Sequence, residues 1–244
     1  MAEILYLMPG GAMDAAEVSR REVLANSFLT MPDRYHVSVR SVGYGADSIE
    51  CFIDGDFSVT GLLQYALSHN GGYDALIIGC TDDPGLFSLR EVLTVPVVGP
   101  MESSVAIASL LGHSFGVIAT EQSAVPESHT LLRKYGVDSR CVSIRCLNQS
   151  AAALRHYTGD ALEHTLLQRL NEVAQDGADC AVLGCMSMAF GLLDEKVAKD
   201  SPIPIINPAK ASIKTAETLL ELGLRHSDAS YPKPNLIPIL EILN

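Results

Sequence analysis

Short apolar runs of strand length alternate along this chain with longer stretches of helical period, the pattern of repeated β-α units built around parallel sheets. The predicted strands are Glu3 to Met8, His36 to Val42, Asp74 to Gly79 and Val95 to Val98. A second set follows at Phe115 to Thr120, Cys141 to Leu147, Asp179 to Gly184 and Ile203 to Ile206. Between strands, Leu62, Leu63, Ala66 and Leu67 form one apolar stripe, and Leu162, Leu166, Leu170 and Val173 another. Such stripes are faces for packing on a sheet.

The two sets match in detail and in order. Ser38-Val39-Arg40 is answered by Ser143-Ile144-Arg145 and Gly79-Cys80 by Gly184-Cys185, both at the same offset, while Val95-Pro96-Val97-Val98 is answered by Ile203-Pro204-Ile205-Ile206. An internal duplication is the simplest account. The predicted fold is therefore α/β, with two pseudo-symmetric lobes, each a four-stranded parallel sheet flanked by helices, and an active site in the cleft between them. Residues 1–100 are assigned to the first lobe, completed by the C-terminal helix, 209–244, and residues 101–208 to the second. Segments Glu102 to Leu111 and Ala209 to Leu222 follow the fourth strand of each set and are placed to cross between lobes.

Composition narrows the function. Apolar residues make up 48% of the chain and charged ones 19%, without a biased tract, which is the balance of a folded domain. No apolar stretch has the length of a membrane span, and the first strand-like run begins at Glu3 without a basic leader, so a cytosolic protein is expected. Asp and Glu outnumber Lys and Arg by 29 to 17, and no basic run could track a phosphate backbone, which argues against nucleic acid as a partner. The expected partner is a small molecule, its negative charge held by local donors.

Six cysteines without a CxxC pair or a His/Cys ligand cluster read as reduced thiols. Cys80 and Cys185 stand apart from Cys51, Cys141, Cys146 and Cys180, which read as small buried apolar side chains. Each of the two follows a strand and a glycine, where ligands gather in parallel α/β sheets. Asp82, Asp83 and Pro84 suit a helix start after Cys80, and Ser187 a weaker one after Cys185. A thiol at a helix N-terminus is expected to have a lowered pKa. Across a pseudo-twofold axis, the two sulfurs would flank one carbon, as stereoinversion by a base on one face and an acid on the other requires. The amides of the Cys80-Thr81 and Cys185-Met186 turns, with the Thr81 and Ser187 hydroxyls, are candidate donors to an enolate oxygen. Thr120, at the end of the fifth strand, is a further candidate contact or a helix cap. Glu102 reads as a cleft wall or a cap, and Asn207, followed by Pro208, as a cap. The seven histidines show no ligand spacing.

At these residues the chain resembles the aspartate/glutamate/hydantoin racemase superfamily, closest to its hydantoin racemase branch. Gly79-Cys80-Thr81-Asp82-Asp83-Pro84-Gly85-Leu86 is similar to that branch's first cysteine motif, and Leu183-Gly184-Cys185-Met186-Ser187-Met188-Ala189 to its second. Ser48-Ile49-Glu50 resembles the element after strand two, which makes Ser48 a candidate substrate contact. The resemblance implies two-cysteine proton transfer, neither metal nor organic cofactor, and a homo-oligomer. One departure stands out: where hydantoin racemases carry an Asn-Pro-Asn-Thr-type loop, this chain has Met8-Pro9-Gly10-Gly11-Ala12-Met13-Asp14. Gly10 and Gly11 are left to present backbone amides to an anion.

The reading that results is racemisation of a 5-substituted hydantoin or related cyclic ureide. The alternatives are an aspartate or other amino-acid racemase, a decarboxylase or cis-trans isomerase of the same superfamily, and a non-catalytic binding protein with incidental cysteines.

Overall fold

Strands buried on both faces need apolar side chains at successive positions, and the runs identified above supply them. The computed structural model describes residues 1–11, 13–155 and 160–235. In its first sheet, β1 (Ala2–Met8), β2 (Tyr35–Ser41), β3 (Ala75–Ile78) and β4 (Val97–Val98) lie in the order β2-β1-β3-β4. In its second, β5 (Phe115–Ala119), β6 (Cys141–Cys146), β7 (Cys180–Leu183) and β8 (Ile205–Ile206) lie in the order β6-β5-β7-β8. All pairings are parallel, and each sheet repeats the strand order of the other.

Two local features show the same equivalence. The fourth strands are shorter than predicted because Pro96 and Pro204 have no N–H for the ladder. Each proline instead accepts at its carbonyl, from the Leu76 N–H at 2.9 Å and the Ala181 N–H at 2.9 Å. The third strands likewise start one residue late. Asp74 turns its carboxylate to the Glu3 N–H at 2.7 Å, and Asp179 to the His113 and Ser114 N–H groups at 2.7 and 3.0 Å.

Helices cover the sheets: α1 (Ala15–Ser27), α2 (Phe52–Ser68), α3 (Leu86–Val92) and α4 (Pro100–Leu111) in the first half of the chain. The second half adds α5 (Ala124–Lys134), α6 (Ala151–Arg155), α7 (Asp160–Gln175), α8 (Met186–Phe190), α9 (Leu193–Val197) and α10 (Pro208–Glu221). The predicted stripe of α7 is fully realised, with Leu162, Leu166, Leu170 and Val173 all buried. Each such side chain contributes about 1.5–3 kcal/mol of burial. On α2, Leu62 and Ala66 are buried, while Leu63 and Leu67 are only partly so.

The helices after the fourth strands exchange lobes. Met101, Val105 and Ala108 of α4 join Phe115, Val117 and Val182 of the second sheet. Ala209, Ile213 and Ala216 of α10 join Ile4, Tyr6, Met8 and Val98 of the first. α10 is shorter than the C-terminal helix expected over 209–244, because it ends at Glu221 and the following segment is irregular. That segment still returns to the first sheet: the Val97 N–H donates to His226 Nε2 at 2.8 Å and Lys233 Nζ to the Leu93 carbonyl at 2.6 Å. Residues 236–244 of the expected helix lie outside the described residues. Among the described residues, no helix is long and apolar enough to cross a membrane.

Candidate active site

The ends of β3 and β7 deliver the two cysteines in the same way. The Gly79 N–H donates to the Leu7 carbonyl at 2.7 Å, and the Gly184 N–H to the Ile118 carbonyl at 2.8 Å, so each chain runs one residue past its strand against the central one. Only glycine fits there. A Cβ on Gly79 would stand 2.8 Å from the Met8 Cα, and one on Gly184 2.9 Å from the Ile118 carbonyl oxygen. The next residues, Cys80 and Cys185, both line one cavity of about 70 Å³ between the lobes. The turns that carry them are tied together, because the Thr81 hydroxyl donates to the Gly184 carbonyl at 2.8 Å.

The two sulfurs differ in surroundings. Cys185 is buried and caps α8, accepting the Ser187 N–H at 3.4 Å. Burial pushes its thiol up, and the Ser187 and Met188 amides with the Arg21 charge pull against that. Cys80 is half-buried and donates to the Asp82 carboxyl at 3.5 Å. Burial, followed by the Asp82 charge, pushes its thiol well above the ordinary range. Asp82 is itself pushed up to about 6 by burial.

Two guanidinium groups also line the cavity. Arg21 of α1 is buried, held by Glu17 Oε1 at 2.7 Å, and lies 5.0 Å from the centre of the Phe190 ring. Arg155 of α6 reaches from the second lobe to the Asp47 carbonyl of the first at 2.8 Å. The cavity thus offers two thiols and two guanidinium groups, an arrangement able to move a proton at carbon and hold the anion formed.

The sequence pattern of the Asp/Glu/Hydantoin racemase family matches residues 19–216. The chain belongs to this family. It is a racemase, an isomerase by class, and its relatives agree with that placement. It is 33% identical over 217 residues to the hydantoin racemase of Rhizobium meliloti, covering 87% of this chain and 89% of the relative. To the hydantoin racemase of Paenarthrobacter aurescens it is 34% identical over 163 residues, covering 66% and 68% of the two chains. The allantoin racemase of Pseudomonas fluorescens shares the fold with a TM-score of 0.86 at 24% identity, over 96% of this chain and 97% of that one.

Of the contacts read from the racemase sequence, Ser48, Thr81, Thr120, Met186 and Ser187 line the cavity beside Cys80 and Cys185. Gly10 and Gly11 do not. The Gly11 N–H donates to the Ala46 carbonyl at 2.8 Å and Gly10 bridges to Tyr44, so this pair shapes the loop that brings Asp47, Ser48 and Ile49 to the wall. Two hydroxyls expected to donate to substrate are engaged elsewhere. Thr81 gives its proton to Gly184, and Ser187 gives its own to the Ala151 carbonyl at 3.2 Å. A hydroxyl has one proton, so toward a ligand these two can only accept.

The expected lowering of the thiol pKa is also corrected. No helix starts at Cys80: the chain turns through Asp83 and Gly85, both left-handed, and α3 begins at Leu86. Asp83 caps α4 instead, accepting the Met101 and Glu102 N–H groups at 3.2 and 3.0 Å. α8 does start at Cys185 but spans only Met186–Phe190, too short for its dipole to outweigh burial. Glu102 is no cleft wall, since it pairs with Arg90 away from the cavity. Asn207 is the cap it was read as, accepting the Ala209 N–H at 2.9 Å and the Lys210 N–H at 3.2 Å. Arg21, Asp82 and Arg155 were missed. For Arg21 the available signal was Glu17 four residues earlier, which can hold an arginine on the inner face of α1.

Proposed function

We propose that this racemase inverts a 5-substituted hydantoin or a related cyclic ureide by proton transfer between Cys80 and Cys185. The observation that carries the reading is that the two thiols enter one cavity from equivalent strand ends of two matching sheets. One sulfur, as thiolate, removes the proton at the stereocentre, and the C–H electron pair passes to the adjacent carbonyl as an enolate. The opposite thiol then protonates the carbon from the other face and is left as thiolate, while the first sulfur ends as thiol. The reverse reaction exchanges the roles. Arg21 and Arg155 supply the positive charge that offsets the enolate.

This reading draws on the hydantoin and allantoin racemases to which the chain is similar. It carries with it no metal or organic cofactor, and a homo-oligomer working in the cytosol. A second reading, an amino-acid racemase, is favoured by the two guanidinium groups, which also suit a free carboxylate. Single enantiomers of a 5-alkylhydantoin, allantoin and aspartate, each incubated in deuterated water, separate the two. Loss of optical rotation with deuterium at the stereocentre is expected for a cyclic ureide. Turnover of aspartate alone would replace the first reading with the second.

A further inference from the structure

Beside the reaction cavity lies a second one, of about 250 Å³, between α2, α5 and the turn after Cys80. Asp82 belongs to both walls, so its side chain stands between the thiols and this space. Four carboxyl residues line it: Asp56 from α2, Asp82 and Asp83 from the turn and Glu127 from α5. None of the four is in an ion pair among the described residues. They differ in their hydrogen-bond donors: Asp83 is consumed by the α4 amides and Tyr135, as nearby Asp54 is by the Cys51 thiol and the Glu50 N–H, and Asp82 accepts from the Cys80 thiol.

Glu127 is the informative member. It is 7% exposed, yet its Oε2 has no hydrogen-bond partner among the described residues. Its Oε1 lies 4.0 Å from where a Cβ on Gly55 would stand, which directs the carboxyl across the space toward α2. A buried carboxyl without a donor is costly and rare unless a ligand supplies the donor. Phe52, Val59, Pro84 and Leu131 supply the apolar part of the wall, with Thr130 and Lys134 beside them. The one cation on it, Lys134, is exposed and holds its ammonium over the Phe87 ring at 4.0 Å.

We infer that this space is the subsite for the substrate's substituent and that it takes a positively charged one, an ammonium or guanidinium on a short alkyl stem. The apolar walls would cover the stem, and Glu127, Asp82 and Asp56 would receive the head. Burial and the neighbouring carboxylates push Glu127 up to about 7, and a bound cation would bring it down again. The inference rests on the racemase reading for the position of the stereocentre, between the thiols and next to Asp82.

The test compares 5-(4-aminobutyl)hydantoin with 5-pentylhydantoin, its uncharged counterpart of similar length, in racemisation and in calorimetric binding to the full chain. The cationic compound is expected to have a KM and a dissociation constant at least about tenfold lower, as a charge-assisted contact gives. In E127Q the ratio between the two compounds is expected to fall to about twofold or less, and added salt to narrow it in the wild type. Because the ratio is the readout, a general loss of activity in the variant does not imitate the effect. Racemisation of both compounds at equal KM would overturn the subsite and leave the racemase reading standing. So would a preference that survives unchanged in E127Q. If neither compound is racemised, the reaction reading fails, and the isotherms alone decide the subsite: a tenfold preference lost in E127Q supports it, and equal affinity rejects it.

Discussion

The Thr81 hydroxyl donates to the Gly184 carbonyl at 2.8 Å, so the residue after one cysteine grips the residue before the other. The contact joins the two lobes at the point where their sulfur-bearing turns meet, and in the proposed mechanism it sets the gap that the reacting carbon occupies. Positioning of this kind carries a large share of catalysis, since a displacement of about 1 Å costs on the order of a hundredfold in rate.

Replacing Thr81 by Val keeps the shape and removes the donor. The expected result is a fall in kcat of about tenfold or more and a loss of about 1–3 kcal/mol of stability from the unpaired Gly184 carbonyl. Thr81→Ser, which restores the hydroxyl, is expected to recover most of the rate. Racemisation kinetics and thermal unfolding of the three proteins check this, and a Val variant at full rate would remove the turn-to-turn contact from the account.

The pH profile follows from the raised thiols. Burial pushes both thiols above their ordinary value of 9.0, so in the proposed reaction the thiolate that starts it is the minor form at neutral pH. For the free enzyme, kcat/KM is therefore expected to climb with pH and to keep climbing past the ordinary thiol range. Asp82, charged above about 6, opposes the Cys80 thiolate. Asp82→Asn removes that opposition, and the alkaline limb is expected to move to lower pH. A limb that stays in place or moves upward would show that Asp82 does not set the Cys80 proton affinity.

A second contact between the lobes tests stability. The Tyr135 hydroxyl donates to Asp83 Oδ2 at 2.6 Å, and the same carboxyl caps α4. Tyr135→Phe leaves a buried acceptor short of a donor, and a loss of about 1.5–3 kcal/mol is expected. For a chain of this size that corresponds to a melting temperature lower by roughly 3–12 °C. An unchanged melting temperature would mean that water replaces the hydroxyl.

Much of this architecture was legible in the sequence because doubly buried strands announce themselves as apolar runs, and because the two halves share Gly-Cys and X-Pro landmarks at matching places. The place of Cys80 and Cys185 at one cavity was legible for the same reason: each follows a strand and a glycine that only close packing explains. What stayed hidden depends on distance in space. Arg21 and Arg155 reach the cavity from separate helices, with no local motif to mark them. The thiol pKa direction reversed because burial outweighs a helix of five residues at Cys185 and no helix starts at Cys80. Gly10 and Gly11 looked like anion donors because a sequence cannot show that the Gly11 N–H is bonded to Ala46.

The central claim, that one sulfur removes a proton from one face and the other sulfur delivers a different proton to the opposite face, is tested most directly by single-cysteine variants in deuterated water. Each enantiomer of the substrate is incubated with Cys80→Ser and with Cys185→Ser, and both proton loss at the stereocentre and optical rotation are followed. The expected result is that neither variant racemises at more than a trace of the wild-type rate, and that each still exchanges the proton of one enantiomer, a different one in each variant. Racemisation at the wild-type rate by either variant, or exchange of the same enantiomer by both, would contradict the account.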